Sequence, residues 1–79
     1  MAQTIGKCIA IARESCGLSQ SELAGLCGLS KDTIVGYENG TKTVKSPFLK
    51  WAASERTSAN KKAQAFALAF SDALTGKTP

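Results

Sequence analysis

Five residues in one short stretch carry most of the recognition chemistry this chain offers: Lys31, Asp32, Val35, Gly36 and Asn39. Ile34 and Tyr37 fall three apart and mark the inward side of a helix, so those five share the opposite side. Lys31 only donates hydrogen bonds, Asp32 only accepts them, and Val35 offers methyl groups. Such a set can match an edge of donors, acceptors and apolar groups, but it neither makes nor breaks a bond. The chain holds no histidine, no paired carboxylates in register, no phosphate-binding glycine loop and no activated nucleophile. An enzyme is therefore not expected. Cys8, Cys16 and Cys27 are odd in number, lie on predicted helices and lack the spacing of a metal cluster. They read as small buried or half-buried thiols of a reducing compartment, and neither a metal nor a cofactor is expected.

The elements that must position these residues are legible on either side of them. Ser19 with Glu22 three residues on forms a capping box, which starts a helix at Gln20. Ala24 is small where two helices must cross. Gly28 supplies a sharp turn, Leu29 plugs that turn into the core, and Ser30 caps the next helix. The predicted helices run over about Gln20 to Cys27 and Lys31 to Glu38, the second stopped by Asn39-Gly40. A helix, a tight turn and a second helix in this register let the second helix enter a groove of DNA.

An earlier helix is predicted from about Gln3 to Ser15, with Ile5, Ile9 and Ala12 on one face and Gly17 as its left-handed cap. A polar loop from Thr41 to Lys45 leads to Ser46-Pro47, a cap followed by proline at the first helical position, and then to Phe48, Leu49, Trp51 and Ala52. Ser58 is expected to cap a fifth helix that runs to about Leu74 and closes at Gly76. Its stripe is Phe66, Phe70 and Leu74, with Ala63, Ala67 and Leu68 beside it. Ala65 and Leu68 fall partly off that stripe and are a possible dimer surface. No strand-like alternation of useful length is present, so the fold class is all-α, with one domain over residues 1–76 and a short tail at 77–79.

Composition narrows the partners. The 79 residues carry a net charge of +4 and 43% hydrophobic residues, enough for a single modest, mostly aliphatic core. Residues 1–30 balance Lys7 and Arg13 against Glu14 and Glu22, whereas 41–50 holds Lys42, Lys45 and Lys50 with no acid. That basic segment follows the second helix of the pair and suits a polyanion. No apolar run is long enough to span a bilayer and no secretion signal is visible, so a cytoplasmic protein without a membrane partner is expected.

From Ile5-Gly6 through Gly17-Leu18-Ser19-Gln20 to Tyr37-Glu38-Asn39-Gly40, and more weakly to about Ala53, the chain resembles the phage repressor and Cro-type helix-turn-helix family of transcription regulators. The resemblance implies a compact five-helix lambda-repressor-like domain that reads double-stranded DNA with helix 31–38 in the major groove. Lys31 would then meet guanine O6 and N7 or a phosphate, Asp32 a cytosine amino group, and Val35 a thymine methyl. An alternative role for Asp32 is to complement the helix dipole.

The resemblance also gives Gln20 a phosphate contact and a brace to the first recognition residue. Asn39, Thr43, Lys45 and Ser46 are expected on phosphate as well, with backbone amides at the helix starts. Arg13 and Glu38 match a pair that forms a structural ion pair in related repressors. Gly36 departs from the family, which often places a polar base-reading side chain there. Glycine inside a helix costs about 1 kcal/mol against alanine, so the departure suggests close backbone approach to DNA or no readout at that position. Cys8 and Ile11 also stand where charged residues are usual.

The expected function is a repressor or Cro-like regulator, binding a palindromic operator as a homodimer and needing no small-molecule ligand. The alternative is a helical adaptor of the same fold that binds protein and not DNA.

Overall fold

The computed structural model describes residues 4–76. The expected helix start at Gln3 and the tail at 77–79 lie outside the described residues. Five α-helices follow in order: α1 (Ile5–Ser15), α2 (Gln20–Cys27), α3 (Lys31–Asn39), α4 (Ser46–Ser54) and α5 (Lys61–Thr75). A single 3-10 turn, Glu55–Thr57, joins α4 to the segment before α5. The fold is all-α.

Local chemistry sets most of the boundaries. Thr4 caps α1 by accepting from the Lys7 amide at 3.1 Å. The Ser19 capping box is closed in both directions, each hydrogen bond with Glu22 measuring 3.0 Å. Ser30 Oγ accepts from the Thr33 amide at 3.2 Å and starts α3. At the end of α1, Gly17 takes φ 70°, and the Leu18 amide reaches back to the Arg13 carbonyl at 3.0 Å.

Two boundaries differ from the sequence expectation. Ser46 is the first residue of α4 and not its cap; Lys45 holds the cap position without a side-chain bond, and Pro47 falls one position later than expected. Proline lacks an amide hydrogen, so either of these early positions suits it. Ser58 does not cap α5. It ends the 3-10 turn, and its Oγ accepts from the Asn60 amide; Asn60 in turn caps α5 through the Lys62 and Ala63 amides at 3.1 and 3.3 Å. The extra turn moves the helix start by two residues.

The core forms where α1 lies against α5 and α3, with α2 on α3 and α4 on α5. Ile9, Leu23, Ile34 and Phe66 are its largest fully enclosed side chains. Phe48 of α4 is the aromatic hub. Its ring meets Tyr37 of α3 edge-on at 5.6 Å and Phe66 and Phe70 of α5 at 6.2 and 5.9 Å, all within the favoured range for aromatic pairs. The same ring thus ties α3 to the far side of the domain.

In α5, Phe66 and Phe70 are buried as expected, but Leu74 is 47% exposed and Ala73 takes the inward place at 7%. A residue seven positions on returns almost to the same side of a helix, whereas eight positions on it has drifted by about 80°. Small Ala73 then lets α5 approach α1 closely enough for the Cys8 thiol to donate to the Ala73 carbonyl at 3.6 Å.

Candidate nucleic-acid interface

The turn between α2 and α3 is made by Gly28 at φ 74°, from which the Leu29 amide donates to the Ala24 carbonyl at 2.9 Å. Leu29 packs half-buried on the core, so the turn is fastened to the domain. Leu23 and Ala24 on one side and Ile34 on the other share the core cluster, which fixes α3 across α2.

This mounting turns Lys31 and Asp32 to solvent at the first turn of α3, and Asn39 at its last. Val35 is half-buried. Ile34 and Tyr37 point inward, at 0% and 5% exposure. Asn39 Oδ1 already accepts from the Thr41 amide at 3.0 Å and from its hydroxyl at 2.8 Å. It organises the start of the following loop, and its amide nitrogen is the part left to donate outward.

Gly36 does not stand open on this side. It is buried beneath the next loop: a Cβ at Gly36 would meet Lys42 Cγ and Cδ at 2.7 Å, and the Lys42 amide donates to the Gly36 carbonyl at 3.1 Å. The group that approaches this glycine closely is the chain's own Lys42. The sequence placed Lys42 only in the basic segment 41–50 and did not pair it with Gly36. The available signal was the glycine itself, a helix-weakening residue followed at six positions by a long aliphatic stem.

The far end of α3 is held by charge. Arg13 on α1 grips Glu38 with two parallel bonds, Nε to Oε2 at 2.7 Å and Nη2 to Oε1 at 3.1 Å, and its Nη1 donates to the Leu18 carbonyl at 2.8 Å. Both side chains are nearly enclosed, at 12% and 9% exposure. The bond from Glu38 raises the Arg13 pKa above its already high ordinary value, with burial opposing. Such a fork fixes orientation as well as distance.

Gln20, half-buried at the start of α2, donates from Nε2 to Glu38 Oε1 at 3.1 Å. Its brace therefore runs to the last turn of α3 and not to the first recognition residue. The Glu38 carboxylate, fixed by Arg13, presents a charged acceptor to this amide. One amide hydrogen, the carbonyl oxygen and the backbone N–H of Gln20 remain for an outside partner.

Beyond α3, Thr43, Lys45 and Ser46 are exposed, and Thr33, Tyr37, Lys42, Thr43 and Lys45 line a shallow groove beside the helix. With Glu38 neutralised by Arg13, Lys31, Lys42 and Lys45 leave Asp32 as the one free carboxylate among the described α3 and loop residues. No group of side chains able to hold a metal ion occurs among the described residues. No helix there is long and apolar enough to cross a membrane.

Residues 9–50, just over half of the chain, match the family described as Helix-turn-helix. No curated protein and no solved structure matches the chain. The matched span runs from the middle of α1 to the first half of α4 and so contains the capped pair α2 and α3, the loop and the Phe48 anchor. A helix pair joined by a glycine turn, with the second helix held by Glu38 at its far end and exposing Lys31, Asp32 and Asn39, is what a groove reader requires. The chain belongs to the lambda-repressor/Cro-like helix-turn-helix family of DNA-binding regulators.

Proposed function

We propose that this protein is a sequence-specific transcription regulator of the repressor or Cro-like kind, which inserts α3 into the major groove of a palindromic operator as a homodimer. The observation that carries this reading is the exposure of Lys31 and Asp32 together at the first turn of α3, the part of a recognition helix that meets base edges. Lys31 donates to guanine O6 and N7, Asp32 accepts from a cytosine amino group, and the free edge of Val35 meets a thymine methyl.

Gln20, Asn39, Thr43, Lys45 and Ser46, with the amides that open α2 and α4, hold phosphates and set the register of the helix. No cofactor or small-molecule ligand enters this scheme. A module with one such helix reads only a few base pairs, so a second copy on a symmetric half-site supplies the rest of the specificity. Leu68, 46% exposed, with Ala65 three residues before it on the solvent side of α5, is the surface assigned to that second copy.

Selection from a random duplex pool tests the reading. The wild-type chain is expected to enrich a two-fold symmetric sequence with half-sites about one helical turn apart, and a Lys31→Ala/Gln20→Ala variant is expected to lose that enrichment. A wild-type chain that enriches nothing and is not retained on duplex at low salt would leave the protein-binding adaptor as the surviving reading.

A further inference from the structure

Gly36 lies one turn after Asp32 on the outward side of α3, where a side chain would project away from the core. It has none, and the space is taken by Lys42. The Lys42 amide is fastened to the Gly36 carbonyl at 3.1 Å, and the Cβ, Cγ and Cδ of Lys42 all lie within 3.1 Å of where a Gly36 Cβ would stand. Both ends of the contact are therefore set: the backbone by a hydrogen bond and the stem by packing on bare helix. Lys42 is nonetheless exposed as a whole, so the packed stem leaves the ammonium end in solvent. No carboxylate among the described residues forms an ion pair with it.

We infer that Lys42, reaching back from the loop, acts as the base-reading side chain that position 36 lacks, and that its ligand is the acceptor edge of guanine in the major groove. This rests on the proposed insertion of α3. A groove wall that approaches α3 along Asp32 and Gly36 meets the Lys42 stem before it meets helix backbone. An ammonium offers three donors and no acceptor, which suits guanine O6 and N7 over any other base edge. Anchoring the stem on the helix removes freedom that a loop lysine would otherwise lose on binding. Glycine at 36 is the condition for this arrangement, since any Cβ there displaces the stem.

The test compares wild type, Lys42→Met and Gly36→Ala by selection from the same random duplex pool, with thermal melting to establish folding. Methionine keeps an aliphatic cover on Gly36 and removes only the charge. Both variants are expected to melt as folded domains and to lose, by about tenfold, the preference for guanine at one position of the half-site while keeping the rest of the sequence. A Lys42→Met variant that enriches the wild-type sequence with undiminished guanine preference overturns the inference. So does a uniform loss of affinity with a log–log salt slope lower by about one, which marks a phosphate contact. If the wild type enriches no duplex at all, the DNA-binding reading itself falls and takes this inference with it.

Discussion

The carbonyl oxygen of Tyr37 occupies the space that a side chain on Gly6 would need. A Cβ there would also stand 3.0 Å from the Tyr37 carbonyl carbon and 3.4 Å from Glu38 Cα, so the obstruction is backbone throughout. The start of α1 thereby touches the main chain of α3 near its end, without an intervening side chain. Gly6→Ala is expected to destabilise the domain by about 2–3 kcal/mol, because overpacking against backbone outweighs the roughly 1 kcal/mol of helix propensity gained. The melting temperature should fall by about 8–20 °C. An unchanged melting temperature would mean that α1 and α3 can part without loss.

The Arg13–Glu38 fork makes a second prediction. Removing one member leaves an almost enclosed charge unpaired, so Arg13→Ala should cost about 3 kcal/mol in denaturant unfolding. Arg13→Lys should recover only part of this, since a compact ammonium lacks the planar fork that meets both Glu38 oxygens side by side while reaching the Leu18 carbonyl. Equal stability of wild type and both variants would show that the pair does not hold α3.

Acid sensitivity should trace to the capping box at α2. The Ser19 backbone N–H and then Lys62, at 3.4 Å, hold the Glu22 carboxyl below its ordinary value of 4.5. A depressed folded-state pKa means that the stabilisation is complete above the ordinary value and is lost as pH falls through the folded one. The Glu22 contribution should thus be complete at neutral pH and fade, with a decline in stability, as pH falls below the ordinary value. In Glu22→Gln, which keeps an acceptor for the cap but cannot titrate, that decline should be shallower. Superimposable pH curves would assign the acid loss elsewhere.

The proposed dimer surface is tested by charge. Leu68→Lys should turn a concentration-dependent dimer into a monomer in sedimentation, with the melting of the isolated domain little altered, since the side chain is already 46% exposed. Leu74→Lys is the comparison: Leu74 lines a separate apolar groove with Ile5, Leu49 and Phe70. Loss of the dimer in Leu74→Lys alone would move the interface to that groove. A wild-type chain that stays monomeric at high micromolar concentration would remove it from both.

What the sequence by itself determined are the features that depend on neighbours within about four positions. The Ser19–Glu22 box, the Ser30 cap, the glycine stops at Gly17, Gly28 and Gly40, and the inward pair Ile34 and Tyr37 all follow from short-range hydrogen bonding and helical period. They define the helix pair and the side of α3 that faces out. At α5 the nearest cap signal, Ser58, was not the one used, because the inserted 3-10 turn passes the cap position to Asn60. Only the tertiary structure decided that Lys42 covers Gly36, that Gln20 braces Glu38, and that Ala73 goes inward in place of Leu74. Each depends on the path of a loop or on the distance between two helices. Those are set by packing of the whole core around Phe48 and Phe66, which no local pattern encodes.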